Sequence, residues 1–197
     1  MSRTEIRVTG LGGQGVVLAG LIIGRACAIH GGRHATMIQS FGPEARGSAC
    51  SATLAISDTE VLYPYIQAPD VLVAMSSEGY WKYREELKPD GILLYERDLV
   101  QPEPLPGQRA FGVSSTRIAE TLGRTIVQNI VMVGFFAAAT GIVTRKQMRD
   151  AVMAAVPAGT KELNLQAFDA GWSAFEDEHA GNGAGGEETT LTGCDVP

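Results

Sequence analysis

Residues 6–23 decide the fold: the apolar run 6–9 (IRVT) leads into the glycine-rich turn 10–15 (GLGGQG), and a second apolar run, 16–23 (VVLAGLII), follows. The spacing G-x-G-x-x-G between a strand pattern and a helix pattern predicts a βα unit. Glycine permits positive φ and close approach, and a helix start offers unpaired N–H groups with partial positive charge. We therefore expect a loop that receives an anionic group or a closely packed neighbour.

Dinucleotide-binding domains share this spacing, but they also carry an acidic residue about 20 positions further on, at the end of the second strand. Here residues 35–38 are the predicted second strand, and residues 39–41 (QSF) follow it without a carboxylate. The first acidic residue beyond them, Glu44, comes after a Gly-Pro turn. Two interpretations stay open, a dinucleotide site and a turn that serves only helix–sheet packing.

Charge and hydropathy narrow the classes of partner. The chain has 197 residues, 45% of them hydrophobic, which predicts one medium-sized domain with an ordinary core. A net charge of −6 and a pI near 5.1 provide no basic surface for nucleic acid or anionic lipid. No segment has the pattern of a signal peptide, and residues 126–142 are too short and too polar for a membrane span. We expect a cytoplasmic protein without nucleic acid or membrane partners.

The residues that usually carry chemistry are scattered. Cys27, Cys50 and Cys194 are widely spaced and have no C-x-x-C pattern, so the sequence predicts neither a disulfide framework nor a metal site. The three histidines have no partners at catalytic spacing, and no G-x-S-x-G elbow occurs. The sequence therefore predicts no catalytic residues and no metal ligands in this chain.

One later loop, residues 41–48 (FGPEARGS), combines glycines with a charged pair. In an open α/β sheet, loops at the carboxyl ends of the strands converge on the first glycine loop. Arg46 is suited to bind a phosphate or carboxylate there. The alternative is an Arg46–Glu44 contact that only orders the loop.

The rest of the chain alternates strand and helix patterns, which predicts an α/β fold with a Rossmann-like, doubly wound and mostly parallel sheet. We expect a single domain over residues 1–179 that ends in extra C-terminal helices, and a flexible Gly-rich tail over residues 180–197. The predicted strands after the second cover residues 49–57, 70–75, 91–95 and 109–113. The predicted helices after the first cover residues 77–87, 114–122, 126–139, 144–156 and 162–175.

Two linked motifs, residues 10–16 (GLGGQGV) and 39–47 (QSFGPEARG), resemble the gamma subunit of 2-oxoacid:ferredoxin oxidoreductases, the gamma family of pyruvate, 2-oxoglutarate and ketoisovalerate oxidoreductases. Residues 68–76 and 162–171 agree with that family, and the likeness covers residues 4–175. The resemblance implies a subunit of a complex that oxidatively decarboxylates a 2-oxoacid to acyl-CoA and CO2. Electrons pass to ferredoxin or another acceptor.

The resemblance also implies that the cofactors of the complex are bound by other subunits. The complex is expected to hold thiamine diphosphate, Mg²⁺ and iron–sulfur clusters on alpha, beta and ferredoxin-like delta subunits, with coenzyme A as a substrate. This chain is expected to bind none of these cofactors alone and to be inactive in isolation. Its candidate residues for the coenzyme A side or a subunit interface are Gly12, Gly13, Gln14, Gly15, Gly42, Pro43, Glu44, Arg46 and Gly47.

Two further hypotheses come from other classes. The glycine motif alone fits a stand-alone Rossmann-type oxidoreductase that binds NAD(P) or flavin. A purely structural subunit, whose loops serve packing only, fits the missing catalytic set.

Overall fold

The computed structural model describes residues 3–41 and 49–179, which form six strands and six helices. The strands are β1 Arg3–Leu11, β2 His34–Ser40, β3 Ala49–Ser57, β4 Val71–Ala74, β5 Ile92–Glu96 and β6 Arg109–Val113. The helices are α1 Val16–Arg25, α2 Ser77–Tyr83, α3 Ser115–Thr121, α4 Gln128–Thr140, α5 Arg145–Ala155 and α6 Lys161–His179. The predicted tail, residues 180–197, lies outside the described residues.

Local sequence signals account for several helix ends. The Ser76 side chain accepts a hydrogen bond from Gly79 N at 3.1 Å, which caps α2 where the sequence predicted a helix start. Thr144 and Gln147 form a reciprocal capping box at the start of α5. A π-helical turn, Ala26–His30, extends α1, and no described helix is long and apolar enough to cross a bilayer.

The six strands form one sheet in the order β2-β3-β1-β4-β5-β6. β1, β4, β5 and β6 pair in parallel, whereas β3 runs antiparallel to both β1 and β2. The α/β single-domain fold is confirmed, with a mixed sheet in which β3 is the reversed strand. The physical reason is the connection between β2 and β3: eight residues are too few for a parallel crossover, which needs a dozen or more.

The two faces of the sheet are covered unequally. On one, the helix-covered face, strand residues such as Ile6 and Val8 pack in a single apolar cluster with side chains of α1 and α3–α6. On the other, the α2 face, Leu72, Ala74 and Leu93 pack against α2 and the loops that follow it. Helices lie on both faces, as a doubly wound sheet requires, but α2 is the only described helix on its face.

The helix-covered face includes a close crossing of α4 and α6. A Cβ atom at Gly134 would overlap the carbonyl oxygen of Phe168, and one at Gly171 would overlap that of Val131. The two helices therefore meet backbone to backbone, which buries the apolar side chains around the crossing, including Phe135.

The α2 face buries polar groups as well. Arg7 is only 9% exposed, and its Nη2 donates to Glu86 at 2.5 Å. The Arg7 guanidinium also lies 4.1 Å from the centroid of the Tyr83 ring. Burial opposes ionisation of Tyr83, but the hydrogen bonds from Ser51 and Lys82 and the nearby cations lower the pKa of its hydroxyl. This face therefore adds charge-assisted contacts to its apolar packing, whereas the opposite face is held mainly by apolar packing.

Candidate functional site

The glycine loop, residues 11–15, connects the carboxyl end of β1 to the start of α1. Gly13 and Gly15 adopt φ values of 101° and 75°, which other residues rarely adopt. Gly15 is the residue that caps α1, and among the described residues no side chain hydrogen-bonds to the first N–H groups of the helix. Those groups are therefore available to an acceptor from outside the loop.

Gln14 fixes the shape of this loop. Its Oε1 accepts from Leu11 N at 2.7 Å, and its Nε2 donates to the Met75 carbonyl at 3.0 Å. Because Met75 directly follows β4, the side chain ties the loop to the neighbouring strand. Both ends of the Gln14 amide are engaged within the protein, so its role here is to position the loop.

Asn129, at the start of α4, contacts the loop from the other side. The residue is 3% exposed, and its Nδ2 donates to the Gly15 carbonyl at 3.3 Å. A Cβ atom at Gly15 would overlap the Asn129 amide. Gly15 is therefore needed twice, for its backbone conformation and for the approach of α4.

A cleft of about 500 Å³ opens beside the glycine loop. It lies between the start of α1, the turn before α4 and the start of α6, and its volume is typical of small-molecule sites. Its lining residues are Gly13, Gly15, Leu18, Arg124, Ile126, Val127, Asn129, Val156, Pro157, Gly159, Thr160, Leu163 and Asn164.

The cleft combines apolar walls with one positive charge. Arg124 is its charged lining residue, and the guanidinium has no ion-pair partner within residues 3–41 and 49–179. Ile126, which is 76% exposed, contributes apolar surface beside it. The arrangement suits a ligand with a partly apolar body and an anionic group that reaches Arg124 and the N-terminus of α1.

The second predicted loop falls largely outside the described residues, including all five of its candidate residues, Gly42, Pro43, Glu44, Arg46 and Gly47. The strands that flank it are described. Ala49 pairs with Leu11, where the glycine loop begins, and Ser40 pairs with Ser51. The strand ends on either side of the second loop therefore lie at the sheet edge that carries the glycine loop.

The sheet order bears on the dinucleotide interpretation. In that fold the acidic residue follows a strand adjacent to β1, but here β3 lies between β1 and β2. Gln39 and Ser40, at the end of β2, are exposed and two strands away from the glycine loop. The position from which a carboxylate would reach a ribose is occupied by the antiparallel strand.

The described part of the chain contains no group of three or more His, Cys, Asp or Glu side chains able to hold a metal ion. Cys27 is fully buried, and burial raises the pKa of its thiol to about 11 despite the opposing influence of Arg33. His179 stacks on Phe175, with ring centroids 4.2 Å apart, at the end of α6. None of these groups lines the cleft, and its described lining contains no Cys, His, Lys or carboxylate side chain.

The chain matches the family model described as pyruvate ferredoxin/flavodoxin oxidoreductase over residues 5–174. It is 44% identical over 176 residues to 2-oxoglutarate synthase subunit KorC of Methanothermobacter thermautotrophicus, covering 86% of this chain and 93% of that protein. It is 32% identical over 171 residues to ketoisovalerate oxidoreductase subunit VorA of Methanothermobacter marburgensis, covering 85% of this chain but 35% of the relative.

Solved structures agree with these relatives. The gamma subunit of a keto/oxoacid ferredoxin oxidoreductase from Geobacter sulfurreducens superimposes with a TM-score of 0.78 at 37% identity. The match covers 88% of this chain and 99% of that one. The resemblance drawn from the two sequence motifs is confirmed, and the chain belongs to the pyruvate ferredoxin/flavodoxin oxidoreductase family.

Proposed function

We propose that this chain is the gamma subunit of a complex that oxidatively decarboxylates 2-oxoglutarate to succinyl-CoA and CO2 and passes the electrons to ferredoxin or another acceptor. The observation that carries the proposal is the family match over residues 5–174 of a chain whose cleft has no Cys, His, Lys or carboxylate side chain in its described lining. Membership explains this lack, because the chemistry then belongs to other subunits.

The choice of 2-oxoglutarate rests on the relatives. Identity is 44% to the 2-oxoglutarate synthase subunit and 32% to the ketoisovalerate oxidoreductase subunit. The matched region covers 93% of the 2-oxoglutarate synthase subunit but only 35% of the ketoisovalerate oxidoreductase subunit, which is a longer protein. Both differences favour the 2-oxoglutarate complex.

We assign thiamine diphosphate, Mg²⁺ and the iron–sulfur clusters to alpha, beta and delta partner subunits. The described residues of this chain have no metal-binding group, and Cys27 and Cys50 are free cysteines. Free buried cysteines also favour a reducing compartment, and we place the complex in the cytoplasm.

Coenzyme A is the ligand that we propose for the cleft. It supplies the thiol that accepts the acyl group, and its phosphates match Arg124 and the first N–H groups of α1. Arg124 would donate to a phosphate, the N–H groups after Gly15 would do the same, and Ile126 with Leu163 would cover the apolar part. Gln14 and Asn129 hold the loop in the shape that this contact requires.

The complex itself is the first test. The tagged chain is purified gently from its native host, its companions are identified, and reduction of a viologen dye is measured across a panel of 2-oxoacids with and without coenzyme A. We expect thiamine- and iron–sulfur-binding subunits and the highest kcat/KM for 2-oxoglutarate. A chain recovered alone, or activity confined to another 2-oxoacid, contradicts the proposal.

Arg124→Ala tests the cleft within the assembled complex. Loss of one charge-assisted contact of about 1.5–3 kcal/mol corresponds to a rise of roughly 10- to 150-fold in the KM for coenzyme A, with an unchanged KM for 2-oxoglutarate. Arg109→Ala is the matched control, because Arg109 is also exposed and unpaired among the described residues but lines a separate recess beside Asp90. Equal constants for Arg124→Ala and the wild type would favour the purely structural subunit.

A further inference from the structure

Exposed aromatic side chains are concentrated on the α2 face. In the loop between β3 and β4, residues 58–70, Leu62, Tyr63 and Tyr65 are 86%, 58% and 59% exposed. On α2, Trp81 is 49% exposed, and the Arg84 guanidinium lies 4.3 Å from the centroid of its ring. Tyrosine, tryptophan and arginine are the residues most enriched where proteins bind one another.

Hydrogen bonds from Arg3 hold the main chain at the two tyrosines in place. The Arg3 guanidinium donates to the carbonyl oxygens of Tyr63 and Tyr65 at 3.0 and 2.9 Å, and Glu5 holds the Arg3 Nε at 2.8 Å. The two tyrosine rings lie 5.4 Å apart. Because the loop is already fixed, a partner that covers these rings loses little free energy to ordering.

The loop and α2 share one surface. Arg3 and Arg7 lie on the same face of β1, four residues apart, which places them about 13 Å from one another. Arg3 holds the tyrosines, and Arg7 contacts Tyr83 and Glu86 beside α2. One protein–protein contact of ordinary size therefore spans both.

Charge identifies the kind of surface that fits. Glu60, Glu78 and Glu85 are exposed and have no ion-pair partner within the described ranges, whereas Lys82 is the exposed cation of α2. The face thus has an apolar aromatic centre and an acidic rim. Its complement is an apolar surface rimmed by lysine and arginine.

The VorA relative indicates where such a surface comes from. This chain corresponds to 35% of that protein, so in VorA the same domain is joined to a longer segment. We propose that the α2 face docks onto the companion chain that corresponds to this segment, with Leu62, Tyr63 and Tyr65 against an apolar patch rimmed by cations. This inference rests on the proposed function and adds the surface by which the subunit assembles.

The test uses the tagged full chain co-expressed with its companion subunits. The variant Tyr63→Ser/Tyr65→Ser removes two rings but leaves the main-chain carbonyls that Arg3 binds. We expect at least a tenfold loss of the companion chain from the purified material, with unchanged circular dichroism of the variant. Ile29→Ser is the control, because Ile29 is 70% exposed but follows α1 and lines a groove beside β2.

Each outcome bears on the inference. Undiminished recovery of the companion chain by the double tyrosine variant overturns it, and so does a loss caused by Ile29→Ser instead. If the wild-type chain forms a homodimer that the tyrosine variant dissociates, while companion binding persists, the face joins two copies of this chain and the inference is wrong. Failure of the wild-type chain to recover any companion contradicts the proposed function itself.

Discussion

The two faces of the sheet are stabilised by different kinds of contact. The helix-covered face is an apolar cluster in which α4 and α6 approach through Gly134 and Gly171. The α2 face has a single short helix, a buried arginine and loops that expose tyrosines. The first arrangement stabilises the domain by burial, and the second leaves recognisable side chains for another protein. Substitutions on the first face should therefore change folding, and those of exposed side chains on the second should mainly change assembly.

The largest expected effect is at the crossing of α4 and α6. Gly171→Ala places a Cβ atom against the Val131 carbonyl, which forces the helices apart and should lower the free energy of unfolding by about 3 kcal/mol. Urea unfolding measures the change. Gly159→Ala is the matched control, because the added Cβ meets no described atom within 4 Å beyond its chain neighbours, and a change below about 0.5 kcal/mol is expected. Equal effects at the two positions would contradict the packing argument.

A pH titration tests burial on the same face. The pKa of the Cys27 thiol is about 11 when folded, against an ordinary value of 9.0. Between these values the unfolded chain loses the proton that the folded chain keeps, so the free energy of unfolding falls as pH rises, by about 1.4 kcal/mol per pH unit. Below pH 9 the contribution is fully present. Cys27→Ala should remove this part of the decline in the free energy of unfolding between pH 9 and 11. If the wild type and the variant declined equally, the raised pKa of Cys27 would be refuted.

On the α2 face, Arg7→Met should cost less, about 2 kcal/mol in the free energy of unfolding. The substitution leaves Glu86 without its partner and removes the cation over Tyr83, but Glu86 is 40% exposed and water compensates in part. A double-mutant cycle with Glu86→Gln isolates the pair. Lys146→Gln, which breaks the exposed pair with Asp150, should change stability by about 0.5 kcal/mol or less.

Arg3→Gln should have only a small effect on folding. Arg3 is an exposed residue, and its loss should change the free energy of unfolding by less than about 1 kcal/mol. Because it releases the loop that carries Tyr63 and Tyr65, recovery of the companion chain should nevertheless fall several-fold. If Arg3→Gln lowered the free energy of unfolding but left recovery of the companion chain unchanged, the α2 face would serve folding and not assembly.

Much of the fold follows from the sequence pattern. The predicted strands at residues 49–57 and 109–113 coincide with β3 and β6, because alternation and turn residues bound them on both sides. The direction of β3 was not predicted. The feature of the sequence that indicates this direction is the short connection from β2 to β3. It depends on the number of residues between the strands and not on their hydrophobic pattern.

The candidate site divides in the same way. The glycine loop is a local motif, and the sequence predicted its place between β1 and α1. Arg124, Asn129 and Leu163 were not predicted, because they come from segments more than 100 residues away and have no motif of their own. Only the packing of α4 and α6 brings them to the loop. The roles assigned to Arg46 and its neighbours stay predictions.

The contact between Gly15 and Asn129 also has a mechanical meaning. Gly15 touches the first turn of α4, and α4 touches α6 at Gly171, in both cases without room for a methyl group. Loop, α4 and α6 therefore form a continuous series of close contacts. A ligand at the glycine loop would therefore meet a wall that close packing already holds in place, and the proposed coenzyme A site would select by its outline.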